Sequence, residues 1–216
     1  MIKNAQLVLA ACALSSIFVL TAQAAGNADA GKTKAAACGA CHGVDGNSLA
    51  PTFPKLAGQV PEYIIKQLHD FKAGRRSNPV MSPMAQPLSE QDIEDVAAYF
   101  SSQKLAPPAA PAAAAPTGEK IYLKGKGTPT QAAACLGCHG PGGEGNVNWR
   151  KNMATEPAVL APAIGGQHSG YVAAQLQAFQ AGQRANDVGS VMRNTAHPLS
   201  AEEIQAVSDY IAALSR

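Results

Sequence analysis

Two pentapeptides constrain this 216-residue chain more than anything else in it: Cys38-Gly39-Ala40-Cys41-His42 and Cys135-Leu136-Gly137-Cys138-His139. A C-x-x-C-H run is the attachment site of c-type haem, because two thiols one helical turn apart can each add to a vinyl group while the adjoining histidine is delivered to the iron. Together they use four of the five cysteines, and the chain around each must wrap a large apolar disc. Zinc fits poorly, since the two C-x-x-C pairs lie about a hundred residues apart and a zinc ribbon needs no histidine behind each. A thioredoxin-like dithiol would want a βαβ pattern, and none is visible. The expected cofactors are two covalently bound haem c groups, on Cys38 and Cys41 and on Cys135 and Cys138. His42 and His139 each supply one axial iron ligand.

The chain opens with Lys3, runs apolar from Leu7 to Leu20, and reads Ala22-Gln23-Ala24 before Ala25. This describes a cleaved secretory signal over residues 1–24, because the apolar run is too short to cross a bilayer. Cys12 follows Leu9-Ala10-Ala11, which resembles an acylation site, but cleavage there would leave half of the greasy segment on the mature protein. With Cys12 removed, no thiol is spare for a disulfide or a cysteine axial ligand. Export combined with C-x-x-C-H points to a bacterial periplasm. Without Lys3 the chain carries 16 basic and 15 acidic residues, so bulk charge implies neither nucleic acid nor an acidic membrane surface as a partner. Residues 25–103 hold 7 basic and 8 acidic side chains and residues 104–216 hold 9 and 7, a weak dipole.

The second half repeats the first with a drifting offset. Asp45-Gly46-Asn47 matches Glu144-Gly145-Asn146, and Pro54-Lys55-Leu56-Ala57-Gly58-Gln59 matches Pro162-Ala163-Ile164-Gly165-Gly166-Gln167. The second copy therefore has a loop of about nine extra residues, holding Trp149 and Met153. After each Gly-Gln comes a helical pattern, Ile64, Leu68 and Phe71 against Val172, Leu176 and Phe179, ending at Ala73-Gly74 and Ala181-Gly182. Closing helices start at Ser89 and Ser200, with Asp92 and Glu203 in capping-box spacing. Ile93, Val96, Ala97 and Phe100 give one apolar face, and Ile204, Val207 and Ile211 answer it. Further helices are predicted from Asp29 and Thr117, and no strand is predicted. Pro107, Pro108, Pro111 and Pro116 punctuate an alanine-rich run that reads as a semi-rigid linker. The predicted organisation is a first domain over 25–103, a linker over 104–117 and a second domain over 118–216. Both domains are small for a protein-only core, and a buried haem supplies the missing apolar bulk.

Candidates for the second axial ligand are Met81, Met84 and His69 in the first half and Met192, His168 and His197 in the second. Met81 stands seven residues before Leu88 of Leu88-Ser89, and Met192 seven before Leu199 of Leu199-Ser200. Met84 corresponds to Thr195 and reads as packing. Only Met81 and Met192 are matched, and a thioether is a soft ligand that raises the reduction potential. His197 stays open as an alternative to Met192, since imidazole also binds haem iron, while His69 reads as solvated or locally hydrogen-bonded. Each ligating histidine should donate its other ring N–H to a carbonyl in the loops at Pro54 and Pro162. Arg75, Arg76 and Arg184 follow the middle helices, where they would pair with haem propionates or lie exposed at a helix end.

The two C-x-x-C-H-G runs, Pro54 to Gln59, Lys72-Ala73-Gly74, Met81, and Leu88-Ser89 through Ala97-Ala98-Tyr99-Phe100 resemble the dihaem cytochromes c of the cytochrome c4 family over the whole mature chain. The methionine loop of the first half is shorter, and the linker longer and richer in alanine, than the family pattern. The resemblance implies an all-α fold of two tandem class I cytochrome c domains, each wrapped around one haem, with the haems facing one another. It implies a periplasmic monomer, loosely associated with the inner membrane, that carries electrons from a quinol-oxidising bc1-type complex or a dehydrogenase towards a terminal oxidase. Carried over, Cys38, Cys41, His42 and Met81 hold the first haem, and Cys135, Cys138, His139 and Met192 the second.

Electron transfer without turnover is the expected function, because two six-coordinate haems leave no open iron position. A dihaem peroxidase needs one haem that opens, and thiosulfate chemistry through a cysteine-ligated haem needs a spare thiol. A third reading is a dihaem subunit of a larger oxidoreductase, such as a flavin-containing sulfide dehydrogenase or a periplasmic alcohol dehydrogenase.

Overall fold

The computed structural model describes residues 26–108, 116–127, 131–145 and 160–216. The expected signal with Cys12, the middle of the expected linker with Pro111, and Asn146, Trp149 and Met153 of the longer loop lie outside them. In chain order the helices are α1 (Ala28–Lys34), α2 (Ala36–His42), α3 (Pro61–Lys72), α4 (Met81–Ala85), α5 (Glu90–Ser102), α6 (Pro116–Lys124), α7 (Leu136–His139), α8 (Ser169–Gln180), α9 (Val191–Ala196) and α10 (Ala201–Ala213). A 3₁₀ turn over Val188–Ser190 precedes α9. No strand forms among the described residues, where Lys126 and Ala132 make an isolated antiparallel bridge. None of their helices is long and apolar enough to cross a membrane.

Local chemistry sets the helix ends. Pro61 occupies the first turn of α3, where its missing N–H costs nothing. Gly74 and Gly182 stop the middle helices at φ +70°, a left-handed position that glycine adopts without penalty. Both predicted capping boxes form, Ser89 with Asp92 and Ser200 with Glu203. Helix α6 begins at Pro116, inside the stretch expected as linker, again with proline at the start of a helix.

The apolar faces close two separate cores. Ile64, Leu68, Phe71, Ile93, Val96, Ala97 and Phe100 fill the first, and Val172, Leu176, Phe179, Ile204, Val207 and Ile211 fill the second with Ile121 and Tyr122. Each fully buried side chain of this size contributes roughly 1.5–3 kcal/mol. The architecture is all-α, with α1 crossing α5 in the first domain and α6 crossing α10 in the second. Each crossing is tight enough to demand glycine: a Cβ on Gly31 would lie 2.0 Å from the Asp95 carbonyl oxygen, and one on Gly118 would lie 2.1 Å from that of Ala206.

Asp95 and Ala206 are matched positions, and they make the two crossings differ in their response to acid. The buried Asp95 carboxylate accepts from Asn27 N (2.7 Å), Lys34 Nζ (2.7 Å) and Gln91 Nε2 (2.9 Å). The Asn27 N–H, then Lys34 and Gln91, hold its carboxyl below the usual range. Such a group stabilises the fold above its unfolded pKa of about 4, and that contribution is lost as pH falls through the depressed folded value. The second crossing has alanine at that position; its capping acid Glu203 is bound to Lys126, as Asp92 of the first is bound to Lys34. In an acid titration followed by NMR, the α1–α5 crossing is expected to lose more of its stability below about pH 4 than the α6–α10 crossing. Asp95→Ala should weaken the first crossing at neutral pH and flatten its acid dependence; an unchanged acid profile would remove Asp95 from this role.

The two domains meet through matched residues. Gln59 Nε2 donates to the Ala163 carbonyl (2.8 Å) while Ala163 N donates to Gln59 Oε1 (2.7 Å). Gln167 repeats the clasp on Lys55, at 2.9 and 2.8 Å. Because Gln59 matches Gln167 and Lys55 matches Ala163, the contact is close to two-fold. Around it Arg216 bonds the carbonyls of Ala57, Gly58 and Gly165, and the Leu105 side chain covers Gly166.

Candidate haem sites and the surface between them

Each pentad sits on a short helix that presents cysteines and histidine together: α2 carries Cys38, Cys41 and His42, while Cys135 caps α7 ahead of Cys138 and His139. Tyrosines fix the turns behind them. Tyr99 of α5 donates to the Val44 carbonyl (2.7 Å), and Tyr122 of α6 donates to the Gly140 carbonyl.

His42 and His139 are buried, at 5% and 6% exposure. His42 Nδ1 lies 2.8 Å from the Pro54 carbonyl oxygen, and His139 Nδ1 lies 2.8 Å from that of Pro162. These are the two loops expected beneath the histidines. A carbonyl can only accept, so each Nδ1 carries the proton and each Nε2 keeps a lone pair. Burial pushes both imidazoles down, towards the neutral form. Nε2 of His42 is buried and makes no hydrogen bond, which is unusual for a polar atom unless a metal satisfies it.

The four pentad cysteines are half-buried and form no disulfide with one another. Burial raises the Cys38 thiol, and it pushes Cys135 up to about 11. Zinc binding would need thiolates, which burial disfavours at Cys38 and Cys135. Among the described residues no three His, Cys, Asp or Glu side chains gather around one point. The donor set fits haem c. Met81 and Cys38 both pack against the first core, and Met192 and Cys135 against the second.

The other candidates lie elsewhere. His69 Nε2 is 3.2 Å from Glu90 Oε2, the local partner expected of it. His197 is exposed at the end of α9. His168 Nε2 donates across the domain contact to the Ser48 carbonyl (2.9 Å). Met84, expected as packing, is 41% exposed, because it follows Met81 by three residues in a five-residue helix too short to bury both.

Arg184 corrects the reading of an exposed helix end. It is 8% exposed and donates to Gln175 Oε1 (2.8 Å), Tyr63 Oη (2.8 Å) and Gln67 Oε1 (3.1 Å). Arg76, its counterpart, donates to Gln67 Oε1 (2.7 Å), Gln175 Oε1 (2.9 Å) and Tyr171 Oη (3.2 Å). Each guanidinium also stacks on its own domain's aromatic ring, Arg184 on Phe179 and Arg76 on Phe71. Arg75 is exposed and pairs with Asp70. The signal for this network was present in the repeat: Tyr63, Gln67 and Arg76 recur as Tyr171, Gln175 and Arg184, although no haem ligand accounts for them.

A pentad histidine oriented by a proline carbonyl and built twice in one all-helical chain is the arrangement of a two-haem c-type cytochrome. The cytochrome c family profile matches residues 28–104 and again 117–215. Cytochrome c4 of Stutzerimonas stutzeri is 48% identical over 206 residues, covering 89% of this chain and 91% of that one. The crystal structure of reduced recombinant cytochrome c4 from Pseudomonas stutzeri superimposes with a TM-score of 0.78 at 47% identity, over 88% of this chain and 100% of that one. The chain belongs to the cytochrome c4 family of cytochromes c, and its two domains bind covalent haem c. A thiosulfate dehydrogenase electron acceptor of Stutzerimonas stutzeri is also similar, 37% identical over 182 residues, covering 82% of this chain and 79% of that one.

Proposed function

We propose that this dihaem electron-transfer protein holds its first haem through Cys38, Cys41, His42 and Met81 and its second through Cys135, Cys138, His139 and Met192. Each bound haem supplies a reversible one-electron site. The chain's part is to keep two axial donors on each iron, exclude water and fix the centres relative to one another. The buried, unpartnered Nε2 of His42 carries this reading. The carbonyls of Pro54 and Pro162 hold the histidines in the tautomer that offers Nε2. Met81 and Met192, at matched places on the two cores, supply soft donors that favour ferrous iron.

The first domain runs over 25–103 after removal of residues 1–24, the second starts with α6 at Pro116 rather than at 118, and the protein works in the periplasm as a monomer. A bc1-type complex or a periplasmic dehydrogenase donates, and a terminal oxidase accepts. The likeness to a thiosulfate dehydrogenase electron acceptor favours one variant, in which this chain serves a single dehydrogenase as its dedicated acceptor.

A redox titration of the matured protein, run with and without carbon monoxide, tests the assignment. Two one-electron steps at positive potential, unmoved by carbon monoxide, are expected. Uptake of carbon monoxide by either haem would remove a methionine from the ligand set and favour a peroxidase-like enzyme.

A further inference from the structure

The two methionine loops start from matched asparagines but differ in length and anchoring: Met81 follows Asn78 by three residues, and Met192 follows Asn186 by six. In the first domain the loop holds itself: Asn78 Oδ1 accepts from Val80 N and from Met81 N, both at 2.9 Å, and Asn78 N donates to Ser82 Oγ (3.1 Å). In the second domain the matching asparagine, Asn186, reaches across to the other domain. Its Nδ2 donates to Asp70 Oδ2 (2.6 Å) and Gln67 Oε1 (3.1 Å), and its carbonyl accepts from Lys66 Nζ (2.8 Å). The next residue, Asp187, has a carboxylate only 5% exposed that accepts from Arg193 N (2.9 Å) and Arg193 Nε (2.8 Å). Arg193 follows Met192.

We propose that the first domain positions the second haem's methionine: Lys66 and Asp70 of α3 clamp Asn186, and Asp187 passes that constraint to Met192. The proposal rests on Met192 being an axial ligand. Ser190, between clamp and methionine, has φ +58°, a strained left-handed conformation for a residue with a side chain. Such a conformation persists where the surroundings over-determine it. The clamp is one-sided by sequence, because the positions on α8 that match Lys66 and Asp70 are Ala174 and Ala178. No reciprocal hold on Asn78 can form there. Lys66, Asp70, Asn186 and Asp187 are positioning residues: their contacts are with one another and with the loop, and they act on Met192 through it.

The test is displacement of methionine by imidazole in the ferric holoprotein, read from the red charge-transfer band that a methionine-ligated ferric haem shows. A Met81→His background leaves that band to the second haem, and a Met192→His background leaves it to the first. Lys66→Ala/Asp70→Ala gives α3 the residues that α8 already tolerates. In the first background it should lower the imidazole concentration needed by about tenfold, the scale of one or two charge-assisted hydrogen bonds. In the second background it should change nothing. Asn186→Ala should reproduce the loss, and Asp70→Asn, whose amide oxygen can still accept from Asn186, should restore most of the hold. An unchanged second haem overturns the proposal, as does an equal shift at both haems, which would mark a general loosening. If the Met81→His protein shows no charge-transfer band before imidazole is added, the assignment of Met192 itself has failed.

Discussion

A Cys135→Ala/Cys138→Ala protein is expected to carry one haem instead of two and to lose the fold of its second domain along with the missing group. The second core is made of medium-sized side chains with Tyr122 and Phe179 as its buried aromatics, and Cys135, Leu136, Ile164 and Met192 pack around it only partly buried. A haem held by Cys135, Cys138, His139 and Met192 would cover those half-covered side chains. If the haem contact removes roughly 400 Å² of apolar surface from water, it contributes about 10 kcal/mol, as much as the whole stability of a small domain, about 5–15 kcal/mol. Without it, the hydrogen bonds of His139 to Pro162 and of Tyr122 to Gly140 cannot hold the loops. The first domain has its own core and should keep its haem. Haem content per chain, far-ultraviolet circular dichroism and limited proteolysis read the result. A variant with one haem but full helicity would show that the second core suffices by itself.

What the sequence made legible was what is local or repeated. The pentads, the capping boxes at Ser89 and Ser200, and the glycine stops at Gly74 and Gly182 follow from chemistry within a few residues. The contacts of His42 and His139 with Pro54 and Pro162 were predictable because a ligating imidazole needs an acceptor and only those loops lie near. The domain contact was not legible in the same way. Arg76 and Arg184 read as helix-end cations, since nothing near them in sequence shows that a tyrosine and a glutamine arrive from the facing domain. The repeat carries the missing signal, since Tyr63, Gln67 and Arg76 recur as Tyr171, Gln175 and Arg184. Gln59 and Gln167 bond backbone across the interface, a role that leaves no charge pattern and shows itself only as an unexplained matched polar residue. Lys66 and Asp70 show the reverse case, where the absence of a match, Ala174 and Ala178, carries the information.

Arg184→Met is expected to open the contact between the domains while leaving both haems in place. The Arg184 guanidinium serves Tyr63, Gln67, Gln175 and Asn186 at 2.8–3.1 Å and lies 4.5 Å from the centre of the Phe179 ring. Methionine fills the space over Phe179 but donates nothing, so the buried Gln67 and the half-buried Tyr63, Gln175 and Asn186 all lose a charged donor. Gln67 and Gln175 keep Arg76 as a donor, which leaves Tyr63 and Asn186 without one; at about 1–3 kcal/mol for each group left unsatisfied, a weakening of about 3 kcal/mol is expected, more than a hundredfold in the closed-to-open ratio. Arg184→Lys should fall between, because an ammonium cannot reach the acceptors that a planar fork spans. Arg76→Met is the internal control. Arg76 is half-exposed, water can take over its bonds to Gln67, Tyr171 and Gln175, and a loss near 1 kcal/mol is expected. Small-angle scattering should show the radius of gyration rising for Arg184→Met and hardly at all for Arg76→Met. An unchanged curve for Arg184→Met would leave the contact to the backbone clasps of Gln59 and Gln167, whose partners are carbonyls and amides that no substitution at Arg184 touches.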